Sequence, residues 1–204
     1  LLYASSSSVY GGNTKVPFHE GDNTDNPVSL YAATKKSNEL MAYAYSHLYQ
    51  LPCTGLRFFT IYGPWGRPDM AYFSFAKKML AGEALPVFAQ GQLLRDFTFI
   101  NDIVEGIVRL LDKPTPSGVG IPPATVFNIG NNQPVMVMDF IKILERVFGV
   151  SAQIDFLPMQ LGDVPETFAD TEKLRQWIGF APSTDLEDGL NQFAGWYRQW
   201  TRSV

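Results

Sequence analysis

The 204-residue sequence has a single cysteine, Cys53, and only two histidines, His19 and His47. One thiol excludes an internal disulfide and fits a reducing, cytoplasmic setting. Without a Cys/His cluster, no segment has the ligand spacing of a zinc site. Basic runs are missing too. The 16 Lys and Arg stand against 20 Asp and Glu, a net charge of −4, whereas a nucleic-acid binder carries a clustered basic face. No apolar stretch approaches the roughly 20 residues that span a bilayer. Finally, the first residue is Leu1 and not Met, inside a strand-like run. The chain therefore reads as the later part of a longer protein, or as the product of cleavage.

What is present suits a packed α/β globule. Hydrophobic residues make up 46% and charged residues 18%, enough apolar surface for one large domain or two small ones. Leu1 to Ala4 reads as a strand end, followed by "SSSSVYGG" and a Gly-, Pro- and Asn-rich loop over 11–28. Ser29 is placed to cap a helix running to Tyr49, with Leu40, Ala44 and Leu48 at helical spacing and Met41 and Tyr45 beside them. "CTGLRFF" (53–59) reads as a buried strand and "YGPWGRPDM" (62–70) as a loop. A helix is predicted over 71–81, then extended "LPVF" and the strand "RDFTFI" (95–100). Asn101 is the expected cap of "DIVEGIVRLLDK". Strand "TVFNIGN" (125–131), helix 136–148, strand "AQIDFLP" and helices 171–178 and 185–202 complete the order. Strands alternating with helices indicate an α/β architecture.

The chemical signal is "SLYAATKKSNE" (29–39), with Tyr31 and, four residues on, Lys35. Positions i and i+4 share a helix face. An ammonium beside a phenol favours the phenolate, which can take a proton from a substrate hydroxyl. With nine tyrosines in the chain, one such pair alone decides little.

Taken together, "YASSSSVYG", "YAATK", "LRFFTIYGPWGRPDM", "VFAQGQLLRDFTFINDIV", "FNIGN" and "GDVPETFAD" resemble the extended short-chain dehydrogenase/reductase family. Within it they are most similar to the nucleotide-sugar 4-epimerases, above all those that act on UDP-glucuronate. The resemblance implies NAD as cofactor, a UDP-sugar substrate and a full-length homodimer. It implies the C-terminal part of a doubly wound, Rossmann-like parallel sheet with a smaller α/β substrate-binding lobe. Residues 1–62 would be the remainder of the NAD-binding domain. Residues 63–204 would be mainly the UDP-sugar lobe, with some segments returning to the first domain. The family's glycine-rich strand–turn–helix, which holds the NAD pyrophosphate, occurs nowhere in these residues. By themselves they are therefore expected to bind a UDP-sugar but NAD only weakly, to be inactive, and to expose a sheet edge and one face of the Tyr31 helix.

The resemblance also assigns roles. Ser6, Tyr31 and Lys35 would be catalytic, Ser6 helping Tyr31 relay the proton of the 4-hydroxyl. Lys35 would also hold the nicotinamide ribose, and Phe58 would border the nicotinamide or be a plain core aromatic. Ser7 and Ser8 stand where related dehydratases and decarboxylases carry acidic residues. Neutral hydroxyls cannot abstract a carbon-bound proton, but they can donate to a substrate carboxylate; they could equally be turn residues. Thr60 and Arg67 would complete a clamp on that carboxylate, Arg67 being otherwise an exposed loop charge. A clamp matters because a 4-keto uronic acid readily loses carbon dioxide. Val87 and Phe88 would line the uracil, Arg95 would bind the diphosphate and Asp163 the UDP ribose, while Asp96 reads as structural. Gln160 stands where some relatives carry an arginine near the phosphates. The competing readings are a UDP-glucose 4-epimerase, another dehydratase or reductase on this scaffold, and a module that only binds nucleotide sugar.

Overall fold

The computed structural model describes residues 1–159 and 164–202. Its first sheet is parallel, in the order β1 (Leu2–Ser6), β2 (Cys53–Phe58), β6 (Ala124–Ile129). Parallel strands need crossovers, and helices α1 (Leu30–Tyr49) and α3 (Ile100–Leu111) lie in the connections. The face of this sheet away from α1 is apolar. Leu56, Phe127 and Ile129 pack there on Ile103 and Leu110 of α3 and on Leu174 and Ile178 of α5 (Glu172–Ile178).

The second layer is built around β3 (Thr60–Tyr62), β5 (Leu94–Phe99), β7 (Pro134–Met136) and β9 (Glu166–Thr167), with the parallel pair β4 (Ala84–Phe88) and β8 (Gln153–Leu157) beside it. Helices α2 (Ala71–Leu80), α4 (Val137–Phe148) and α6 (Leu186–Arg202) cover it. Their shared core is aromatic: Tyr62, Tyr72, Phe73, Phe97, Phe140 and Phe193 are all buried, with Phe97 and Phe140 stacked at 4.4 Å. Offset ring pairs of this kind add to area burial.

Local chemistry explains most boundaries. Ser29 caps α1, its hydroxyl accepting from the Ala32 amide at 3.1 Å. The helix ends at left-handed Gln50 (φ 52°), before Pro52. Gly149 ends α4 with φ 70°, as expected for an αL helix stop.

One expectation fails. Asn101 does not cap α3, because β5 runs into the helix without a loop. The cap position falls on buried Phe99, and Asn101 lies within the first turn. The stripe of Leu40, Met41, Ala44, Tyr45 and Leu48 forms an exposed face of α1, which buries Ala32, Glu39, Ala42 and Ser46 instead.

Asp96 is fully buried and links three segments. One oxygen accepts from the Asn131 amide at 3.0 Å, the other from Asn132 at 3.1 Å and Ala169 at 3.3 Å. This carboxylate therefore ties β5 to the turn after β6 and to the segment before α5, which agrees with a structural role. In Asp96→Asn the amide NH₂ must face at least one of these donors, leaving it unsatisfied at a cost of about 2 kcal/mol. Urea unfolding should show a lower midpoint at an unchanged m-value.

Candidate active site

At the C-terminal end of β1 the chain turns into a short 3-10 segment, Ser7–Tyr10. Ser6 initiates it: its Oγ accepts from the Ser8 amide at 3.2 Å and lies 3.1 Å from the Ser8 Oγ. This turn holds the serine run open toward the start of α1. Tyr31 and Lys35, one helical turn apart, face the same space, with the Lys35 Nζ 5.8 Å from the Tyr31 ring centre. The ammonium donates to the Ala4 carbonyl at 3.1 Å, which pins the first turns of α1 to β1. Tyr31 is 52% exposed, so its hydroxyl is accessible.

These groups line a cavity of about 700 Å³, within the range of small-molecule sites. Ser5 to Ser8, Tyr31, Lys35, Phe58, Thr60 and Arg67 all contribute to its wall, together with Trp65, Met70 and Tyr72. Among the described residues that line it, none is Asp or Glu. Arg67 reaches it from the loop after β3, where Gly63 adopts φ 139°; a Cβ there would sit 2.5 Å from Ile100. Its guanidinium is held by Asp69 through Nε (3.0 Å) and Nη2 (2.6 Å), and this raises the arginine above its ordinary value. Both side chains are largely exposed, so the pair contributes little to stability.

A second cavity of about 270 Å³ shares Thr60 and Met70 with the first. Val87, Phe88 and Arg95 line it, with Pro86, Phe97 and Phe140. The Arg95 Nη1 donates to the carbonyls of Leu94 (2.9 Å) and Val164 (3.0 Å), which fixes one nitrogen of its guanidinium near the start of β9. Eleven of the twelve expected site residues thus fall on two adjoining cavities; Asp163, and Gln160 with it, lies outside the described residues.

Glu39 and Arg57 were missed as parts of this region. Glu39 lies one turn beyond Lys35 and is buried against Arg57 of β2, with Nε to Oε1 and Nη2 to Oε2 both 2.8 Å. The signal was available: a lone arginine in the middle of "CTGLRFF", and an acid in step with Tyr31 and Lys35.

The NAD dependent epimerase/dehydratase family matches residues 1–130. The chain belongs to this family. It is 47% identical over 211 residues to a probable UDP-glucuronate 4-epimerase of Rhizobium meliloti, covering 98% of this chain and 62% of that protein. It is 51% identical over 207 residues to UDP-glucuronate 4-epimerase 2 of Arabidopsis thaliana, covering 97% and 48%. The fold superimposes with a TM-score of 0.87 on the Bacillus cereus UDP-glucuronic acid 4-epimerase in complex with UDP-glucuronic acid and NAD, at 34% identity over 98% of this chain and 61% of that one. The chain thus spans about half to two thirds of the length of the relatives it matches. The α/β fold and family membership agree with the expectation from sequence.

Burial pushes the Glu39 carboxyl up, but hydrogen bonds and charge from Arg57, with the Ser5 hydroxyl, outweigh it and hold the group below its ordinary 4.5. A carboxyl lowered on folding contributes stability that is complete above the unfolded value and lost as pH falls through the folded one. Stability of the wild-type chain should therefore decline as pH drops below 4.5. In Glu39→Gln that decline should be shallower from a lower starting stability, as read by urea unfolding across a pH series.

Proposed function

We propose that the intact protein interconverts UDP-glucuronate and UDP-galacturonate by reversible oxidation at carbon 4, with Ser6, Tyr31 and Lys35 as the acid–base set. The observation that carries this reading is the shared cavity: a Tyr/Lys pair, the hydroxyls of Ser6 to Ser8, Thr60 and Arg67, with no carboxylate among the described residues of the wall. A cavity of this kind can move a hydroxyl proton and hold an anion. It offers no acidic side chain for the proton transfers at other sugar carbons that elimination demands.

Each residue then has a task. Tyr31, as phenolate, takes the proton of the 4-hydroxyl, with Ser6 bridging the two oxygens. Lys35 sits beside the ring, its ammonium 5.8 Å from the ring centre, and would hold the nicotinamide ribose. Ser7, Ser8, Thr60 and Arg67 hold the substrate carboxylate, and a fixed orientation slows loss of carbon dioxide from the 4-keto sugar. The sugar turns over in the cavity, which at about 700 Å³ has room for it, and the same tyrosine returns the proton. Val87, Phe88 and Arg95 hold the uridine diphosphate in the adjoining cavity, with Asp163 on its ribose. Residues 1–62 carry the oxidation chemistry and 63–204 mainly the nucleotide grip.

The residues present fit a nicotinamide. Tyr31, Lys35 and the Phe58 ring border one open space in which a ribose and a flat ring can lie. These residues would hold NAD, which would supply the hydride acceptor and donor for carbon 4. One observation favours a second reading, a UDP-glucose 4-epimerase: Asp69 already occupies the Nε/Nη2 edge of Arg67, and a neutral sugar leaves that pair undisturbed.

Two substitutions test these readings. Tyr31→Phe should lower kcat on the order of 10²- to 10⁴-fold while UDP-sugar affinity holds, because the ring still packs but accepts no proton; normal turnover would remove Tyr31 as the base. Arg67→Ala should raise KM for UDP-glucuronate about ten-fold, the worth of one charge-assisted hydrogen bond, and release UDP-pentose. Unchanged uronate kinetics with no pentose would favour the neutral-sugar reading.

A further inference from the structure

Beneath the cavity, three polar residues form one row across the first sheet. Ser5 is the ladder partner of Arg57, and Arg57 is the partner of Asn128. All three are buried on the face that α1 covers, in a sheet that is otherwise mostly apolar. The row is tied together: the Tyr10 hydroxyl donates to the Asn128 Oδ1 at 2.6 Å and accepts from the Arg57 Nη1 at 3.0 Å. The Asn128 amide group donates to the Phe18 carbonyl at 2.7 Å, and Arg57 also reaches the Glu20 carbonyl at 3.2 Å.

Into this row α1 sends one side chain, Glu39. Its Oε1 accepts from the Ser5 Oγ at 2.6 Å and from the Arg57 Nε, while Oε2 accepts from Nη2. Tyr31, Lys35 and Glu39 stand at i, i+4 and i+8, one above another on the helix. Lys35 holds the Ala4 carbonyl and Glu39 holds the Ser5 hydroxyl, so two successive residues of β1 are gripped from two successive turns of α1. The next residue of the strand is Ser6.

Nothing else in the helix–sheet contact sets the axial position of α1 as sharply. The other residues it buries are Ala32, Ala42 and Ser46. Small side chains make a smooth surface with no ridge to lock into a groove. The bulky ones, Leu40, Met41, Tyr43, Tyr45 and Leu48, point outward. A bidentate carboxylate–guanidinium pair, by contrast, has a fixed distance and direction.

We propose that Glu39 and Arg57, linked to β1 through Ser5, are positioning residues that set the height of Tyr31 and Lys35 relative to Ser6. The inference rests on the reading of those three residues as the acid–base set. A helix freed to move by about 1 Å would leave the nucleotide grip on the second layer intact but misalign proton transfer, a displacement that can cost on the order of 10²-fold in rate.

The test uses the intact, NAD-loaded protein. Glu39→Gln keeps the shape but turns an NH₂ toward the arginine, and Ser5→Ala removes one hydroxyl and leaves the ion pair. Glu39→Gln should lower kcat roughly 10- to 100-fold, and Ser5→Ala should lower it by a smaller factor. Affinity for UDP should be unchanged in both, and each loss should persist per folded molecule at temperatures well below Tm. Loss of kcat and UDP affinity together, in step with the folded fraction, would mean that the pair serves stability alone and would overturn the proposal. Full kcat in both variants would overturn it as well. If Tyr31→Phe abolishes turnover in that last case, the acid–base reading stands and only the positioning role falls.

Discussion

A single buried ion pair, Arg57 with Glu39, is the constraint around which the first layer is arranged. Its side chains are 4% and 8% exposed, so both charges have left water. Desolvation of that order is offset only when geometry is good and the remaining donors find partners. Here both carboxylate oxygens and three guanidinium nitrogens are engaged, by Ser5, Tyr10, the Glu20 carbonyl and each other. Burial, outweighing the lowering pull of Arg57 and Asn128, pushes the Tyr10 hydroxyl up to about 12, so it stays neutral and serves as both donor and acceptor. Removing one member would leave its partner charged and unpaired, the costly case at about 3–5 kcal/mol. An apolar replacement of the whole set could be as stable, but it would let α1 slide.

The second constraint is a crossing. After Phe58 the chain leaves the first sheet, and at Thr60 it joins the second as β3. This crossing puts the two cavities side by side, with Thr60 in the wall of both. A ligand with two unlike ends suits such a junction. The serine-rich end of β1 lines one cavity with hydroxyls, and the edge of β4 and β5 lines the other with Phe88 and Arg95. Asp96, next to Arg95, keeps that edge in place through backbone amides of two other segments.

Much of this was legible in the sequence, for identifiable reasons. The Ser29 cap and the Tyr31/Lys35 spacing are local, and local geometry survives into the fold. Alternating strands and helices gave the α/β class. The failures came where tertiary contacts overrule local pattern. Asn101 looked like a cap, but no loop separates β5 from α3. The spacing of the apolar stripe on α1 does not say which face packs inward: the helix buries Glu39 and small residues, over a sheet that presents Arg57. That arginine sits inside a buried strand, where its charge needs a neutralising partner. A charge inside an apolar run always makes that demand, and an acid in register on a neighbouring helix is one answer to it.

The run of four serines shows how one residue type can serve several ends within a few ångströms. Ser5 is turned toward the helix and spends its hydroxyl on Glu39. Ser6, next along, accepts from the Ser8 amide and so bends the chain into the 3-10 turn. That turn leaves the hydroxyls of Ser6 to Ser8 at the wall of the cavity. The alternation of a strand sends Ser5 and Ser6 to opposite faces, which allows one hydroxyl to be buried in the frame while its neighbour stays available to a ligand. A larger residue at the first position would crowd Glu39, and an acidic one would repel it. Small, neutral and able to donate, serine meets both demands, and at Ser5 the rigid frame reaches the cavity wall itself.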